Sequence, residues 1–170
     1  MKNILITGAS RGIGKSIALR FAHENCHLFI NCNHSIEDLK QVKAEADAIF
    51  AASDHSASFC ELLPADVGNP DAVRTMFDKI QSCCSGIDIL INNAGMAHIG
   101  LLSDMTDSEW AKILHTNLSS VFYCSRAAIP HMVSQKEGKI LNISSIWGNV
   151  GASCEAAYSA TKGGINALTK

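Results

Sequence analysis

The sequence has little charge and no long apolar run. Charged residues are 18% of the 170 positions and hydrophobic residues 47%. That balance excludes an intrinsically disordered chain, which would carry more charge and fewer side chains able to form a core. The 14 basic and 16 acidic side chains leave a net charge of −2. No basic excess remains to act as the footprint of a nucleic-acid binder or a membrane-surface helix. No apolar stretch approaches the roughly 18–20 residues of a membrane span. The start, Met1 to Gly8, is apolar over too few residues for a signal peptide. The composition therefore predicts a globular, cytoplasmic protein with neither nucleic acid nor membrane among its partners.

Other absences narrow the chemistry. The seven cysteines are odd in number and contain no C-x-x-C pair. Several lie inside apolar runs, where cysteine behaves as a small hydrophobe, so reduced and mostly buried thiols are expected. The seven histidines form no H-E-x-x-H and no Cys/His cluster, and no metal site is expected. Without repeat, low-complexity tract or linker, residues 1–170 read as a single domain.

What is present is an alternation of short β-rich runs with longer helical patterns. Strands are expected at 3–7, 27–31, 59–64, 87–91 and 139–143. Helices are expected at 12–23, 36–51 and from Pro70 to about Gln81, with proline in the first turn. Thr106-Asp107-Ser108-Glu109 has the form of a capping box, in which hydroxyl and carboxylate satisfy the free N–H groups of a helix start. That helix should reach about Ser134, bent or interrupted near Pro130. A last helix covers 156–170. Fully apolar strands alternating with helices predict an α/β fold, a Rossmann-type doubly wound parallel sheet covered on both faces. The final helical pattern runs to Lys170 without a glycine or proline stop, and a fifth strand at the sheet edge would be exposed on one side. The expectation from this ending is that the chain is a fragment, or a truncated copy, of a longer domain.

Two constellations carry chemistry. Thr7-Gly8-Ala9-Ser10-Arg11-Gly12-Ile13-Gly14 lies between the first strand and the first helix. A glycine-rich turn feeding a helix start offers N–H groups and a positive dipole end to a pyrophosphate. Gly14-Lys15-Ser16 also ends like a P-loop, but that motif needs glycine at position 9, where the chain has Ala9. The second constellation is Ser145, Tyr158 and Lys162. Tyr158 and Lys162 stand i and i+4 on the last helix and project from one face. An ammonium near a phenol favours the phenolate and suits it to proton transfer. Ser145 lies just past the fifth strand, at the carboxyl edge where such sheets bind ligands. Of the two tyrosines, only Tyr158 has a lysine four residues on.

With these motifs in place, the whole chain resembles the short-chain dehydrogenase/reductase family. The family's cofactor turn matches Gly8, Gly12 and Gly14, and its sheet-centre motif matches Asn92-Asn93-Ala94-Gly95. Its catalytic asparagine falls on Asn117, and its serine, tyrosine and lysine fall on Ser145, Tyr158 and Lys162. The resemblance implies carbonyl reduction by a nicotinamide, with Tyr158 giving the proton. Lys162 would hold the nicotinamide ribose and lower the tyrosine pKa, and Ser145 would bond the carbonyl oxygen. Asn117 would hold a water linking Lys162 to solvent; its alternative reading is a helix kink or a side-chain bond to backbone. Ser10, Arg11, Ile13, Asn33, His34, Asp66, Val67, Asn93, Ala94 and Gly95 complete the implied cofactor site, with Asp66 and Val67 at the adenine.

The charge pattern selects the cofactor. An NAD enzyme usually places a carboxylate near the end of strand two, but Asn31-Cys32-Asn33-His34-Ser35 contains none and Glu37 is the first acid. Arg11 can face a 2′-phosphate, so NADP is favoured over NAD, although similar NADP-dependent relatives often carry arginine at the place of His34. The overall pattern is most similar to 3-oxoacyl-carrier-protein reductases of fatty-acid biosynthesis, implying a small-molecule or carrier-bound carbonyl substrate. Ser145-Ile146-Trp147-Gly148 and Gly151 to Glu155 also resemble reductases of 5-aminopentanone-modified elongation factor P. There Trp147, Cys154 and Glu155 would shape the pocket, unless they merely form a packed loop. A non-catalytic nucleotide-binding remnant is the third alternative. The full-length parent is expected to be a homotetramer or homodimer.

Overall fold

The computed structural model of the chain describes every residue except Asp54 and Ser56. Five strands, β1 (Lys2–Ile6), β2 (Cys26–Cys32), β3 (Phe59–Pro64), β4 (Ile89–Asn92) and β5 (Lys139–Asn142), form one sheet in the order β3-β2-β1-β4-β5. All four pairings are parallel, with Ile4 opposite both Leu28 and Ile89. The helices are α1 (Gly12–Phe21), α2 (Ile36–Ala52), α3 (Pro70–Cys83), α4 (Asp107–Leu114), α5 (Ser120–Gln135), α6 (Trp147–Val150) and α7 (Ala156–Leu168).

Side chains along a strand alternate between faces, so the central strands need apolar residues at every position. Ile4 and Ile6 of β1, with Leu28 and Ile30 of β2, pack with Ala18 of α1 and Leu39, Val42 and Phe50 of α2. Leu5, Phe29 and Leu90 face the other way, onto Val73, Phe77 and Ile80 of α3 and Cys124 and Ala128 of α5. This is the doubly wound arrangement, with a core on each side of the sheet.

Local chemistry sets the helix starts. Asn69 caps α3, its side-chain oxygen accepting from the N–H groups of Asp71 (2.9 Å) and Ala72 (3.3 Å), with Pro70 in the first turn. The capping box of α4 is complete: Thr106 Oγ1 accepts from Glu109 N, and Glu109 Oε2 accepts from Thr106 N at 2.9 Å. The bonds that Thr106 N and Thr106 Oγ1 (2.7 Å) donate to Oε2 hold the Glu109 carboxyl below its ordinary value.

The strands and most helices end within two residues of the expected positions. The exception is the long helix after Thr106. Pro130 does not interrupt it; it sits inside the continuous α5, on an exposed face. The interruption lies earlier, at a π-helical turn over His115–Ser119. Two single-turn elements, α6 and a 3-10 turn at Leu102–Asp104, lie where the sequence pattern offers only loop.

Candidate functional site

The strand order reverses between β1 and β4. The chain leaves β1 toward β2 and returns to β4 from the far edge at β3, which opens a crevice at the carboxyl ends of the central strands. Four loops meet there. They contribute Gly8, Ser10, Arg11 and Ile13; Asn31 to Ser35; Ala65 to Val67; and Asn93 to Met96, around a cavity of about 490 Å3. Thus the expected residues Asn33, His34, Asp66, Val67, Asn93, Ala94 and Gly95 share one cavity with the glycine turn. Gly12, Gly14, Tyr158 and Lys162 do not line it.

The turn is held from below. Thr7 Oγ1 accepts from the N–H groups of Asn93 (3.0 Å) and Ala94 (3.1 Å). Asn93 Nδ2 donates to the carbonyls of Thr7 (3.0 Å) and Gly8 (2.9 Å). Gly14 packs behind the turn, where a Cβ would overlap the Gly8 carbonyl oxygen and crowd Asn93 Nδ2. Gly12 has a φ of 57°, the left-handed region that glycine adopts without strain, and a Cβ there would meet only open space. Helix α1 has no side-chain cap and no acid in its first turn. Its N-terminus therefore offers N–H groups and a positive dipole end beside the cavity, which fits a pyrophosphate. Among the described residues, Asp66 is the single acid lining the cavity, and one of its oxygens already accepts from Gly68 N at 2.9 Å. Arg11, His34 and Lys112 face the same space. These residues fit a dinucleotide carrying extra negative charge.

Gly95 joins this cavity to the second constellation. A Cβ at Gly95 would lie 3.4 Å from Asn117 Oδ1 and 3.8 Å from Lys162 Nζ. Lys162 is only 4% exposed. Its ammonium donates to the Ile143 carbonyl at 2.7 Å and lies 5.6 Å from the centre of the Tyr158 ring. Burial lowers its pKa from the ordinary lysine value. Asn117, fully buried in the π-helical turn, accepts from Met96 N at 2.8 Å and donates to Met96 O at 2.9 Å and Thr161 Oγ1 at 3.2 Å. The bonds from side chain to backbone are present, and so is the interrupted helix.

Ser145 follows β5, and its Oγ accepts from Trp147 N at 3.2 Å. The loop is fixed to the helix bearing Tyr158 by Ser144 Oγ, which donates to the Lys162 carbonyl at 3.2 Å. Gly148 reinforces that contact, since a Cβ there would stand 2.6 Å from the Lys162 carbonyl carbon. Ile99, Leu101, Leu102, Ile146 and Trp147 are exposed apolar side chains on the two flanking loops. Gly100 N ties these loops together by donating to Cys154 O at 2.9 Å. Cys154 is itself exposed, with a φ of 60°. Neither it nor Trp147 or Glu155 lines the large cavity.

Two residues absent from the expected site prove central to its geometry. Asn31, 1% exposed, donates to the carbonyls of Leu63 (2.8 Å) and Ala65 (3.0 Å) and accepts from Gly8 N at 3.4 Å. It binds the glycine turn to the end of β3. Thr161 is the other, linking α7 to Asn117. A polar residue closing an apolar strand was a visible sign for Asn31; Thr161 gave none.

A glycine turn at the switch point of a parallel sheet, with a Tyr–Lys pair one helical turn apart, defines a class. The chain belongs to the short-chain dehydrogenase family, whose sequence profile matches residues 2–170. Among individual relatives it is 41% identical, over 99% of its length, to the 3-oxoacyl-(acyl-carrier-protein) reductase of Staphylococcus aureus. It is 36% identical, over 98% of its length, to the corresponding reductase of Synechocystis. The chain spans 66% and 64% of those two proteins. Its fold is similar to that of a metagenomic short-chain oxidoreductase solved in complex with NADP, with a TM-score of 0.89 and 31% identity, covering 98% of this chain and 72% of that one.

Proposed function

We propose that this domain reduces a carbonyl to a hydroxyl with NADPH, and that its substrate is a 3-oxoacyl thioester. The observation that carries the reading is the meeting, at Gly95, of the cavity at the strand ends with the buried Lys162 and its neighbour Tyr158. The names of the Staphylococcus and Synechocystis relatives support the substrate class, and the NADP held by the metagenomic relative supports the cofactor.

When bound, the reduced nicotinamide supplies a hydride to the carbonyl carbon. Tyr158 gives its phenolic proton to the carbonyl oxygen. Lys162 holds the nicotinamide ribose and, as a cation beside the ring, favours the phenolate that remains. Ser145 donates its hydroxyl proton to the substrate oxygen and orients it toward Tyr158. Lys162 then passes a proton to the Tyr158 phenolate and is itself reprotonated from solvent through a water that Asn117 would hold. Gly8, Gly12, Gly14 and the start of α1 cradle the pyrophosphate, while Arg11, Asn33 and His34 receive the 2′-phosphate. Asp66 and Val67 meet the adenine. The exposed apolar side chains of the two flanking loops suit an acyl chain.

The test is NADPH consumption with acetoacetyl-coenzyme A by the product of the complete reading frame. Tyr158→Phe is expected to lower kcat about 100- to 10,000-fold, the range for loss of a positioned proton donor. Undiminished turnover by that variant overturns the reading.

A further inference from the structure

We propose that Thr161 is a positioning residue for this reaction, the hydroxyl that locks Asn117 and the loop after β4 to the helix carrying Tyr158 and Lys162. The proposal rests on the reductase reading above. Thr161 is fully buried. Its hydroxyl donates to the Tyr158 carbonyl at 2.7 Å and accepts from Asn117 Nδ2 at 3.2 Å. Back-bonding of a hydroxyl to its own helix is common, and Ser16, Thr75 and Ser120 do the same toward Gly12, Asp71 and Thr116. Thr161 also takes a donor from a second element, as Thr169 does from Asn142 at an exposed position, but Thr161 does so where it is closed to water.

The geometry makes that bond a keystone. Asn117 spends its remaining capacity on Met96, gripping both the N–H and the carbonyl of one residue. Met96 follows Gly95, where an added Cβ would approach both Asn117 Oδ1 (3.4 Å) and Lys162 Nζ (3.8 Å). A chain of hydrogen bonds therefore runs from the backbone of Tyr158, through Thr161 and Asn117, to Met96, which lies beside Gly95 in the cavity wall. Removal of the Thr161 hydroxyl leaves one N–H of a buried amide unpaired. The amide must then turn or admit water, and either movement releases its grip on Met96.

Thr161→Val keeps the branched shape and removes the hydroxyl, whereas Thr161→Ser keeps the hydroxyl. In the product of the complete reading frame, Thr161→Val is expected to lower kcat about 10- to 100-fold. The KM for NADPH should change little, and the pH dependence of kcat should move. Thr161→Ser should restore wild-type behaviour. Equal losses in both variants, or none in Thr161→Val, overturn the proposal. A second readout needs no turnover: exchange of the Asn117 side-chain amide protons with water, followed by NMR in the 15N-labelled chain. Exchange should be about tenfold faster in Thr161→Val than in wild type or Thr161→Ser. Equal exchange in all three overturns the proposal whether or not ketone reduction is detected. Absence of reduction with the exchange difference intact counts against the reductase reading alone.

Discussion

Arg11 enters α1 with an extended backbone, φ −158°, and lines the cavity beside Asn33 and His34. If it faces a 2′-phosphate, reversing its charge penalises NADPH and leaves NADH nearly unaffected. Arg11→Glu should raise the Kd for NADPH about 10- to 100-fold, the scale of a charge-assisted hydrogen bond, as measured by fluorescence titration with both cofactors. The thiols offer a second check. Cys26, Cys32, Cys60 and Cys124 are buried, whereas Cys83 and Cys154 are exposed. Burial pushes Cys26 up to about 11 and Cys60 and Cys124 up to about 12. Iodoacetamide at neutral pH should therefore modify Cys83 and Cys154 first, and should reach Cys26, Cys60 and Cys124 only after denaturation; early labelling of Cys60 in mass spectra contradicts this packing. At this scale the sequence was most legible where a motif states its own spacing, as with Gly8, Gly14, Tyr158 and Lys162. Asn31 and Thr161 escaped because their partners, Leu63, Ala65 and Asn117, lie 32 to 44 residues away. No spacing rule spans such separations.

Elements were legible in proportion to how locally they are determined. Thr106 and Glu109 announce α4, and the box forms as expected. Replacing Thr106 by Ala should cost about 1 kcal/mol of stability, read as a lower urea midpoint. The π-helical turn at His115–Ser119 entered the sequence reading only as the alternative of a kink at Asn117, because a wide turn has no composition of its own. It accompanies a tertiary demand, the engagement of Asn117 with Met96 and Thr161, and such turns frequently occur at functional sites. Pro130, the expected point of interruption, instead lies within the continuous α5. The glycine turn behaves as a unit in the same sense. Gly14→Ala should disturb the turn far beyond the small helix preference that alanine otherwise brings, since its Cβ meets the Gly8 carbonyl. The expected outcome is a lower Tm together with weakened NADPH binding; a Tm at or above the wild-type value would contradict it.

Across the whole molecule, parallel pairing with a core on each face follows from apolar strands joined by helices, and that much was legible throughout. Exposure is uneven, however. Leu141 on the edge strand β5 is 46% exposed, and apolar grooves flank it on both faces of the sheet. Unpaired edges of this kind recruit other chains. The 170-residue chain should self-associate with rising concentration in sedimentation experiments, and Leu141→Lys should reduce that association. Alkaline pH should also destabilise it. Because the buried thiols titrate higher folded than unfolded, their contribution is present below the ordinary value of 9.0 and is lost as pH climbs toward 12. Lys162 acts in the opposite sense, its lowered pKa adding stability only as pH rises toward 10.5. Urea midpoints should consequently fall most steeply above pH 10.5, and a flat profile there would contradict the assignment. The chain order of the cavity also bears on biosynthesis. Every residue lining it lies between Gly8 and Thr116, upstream of Tyr158, and a ribosome needs about 2–8 s to add the intervening stretch. Every residue of the cavity lining is thus translated before Tyr158 is added.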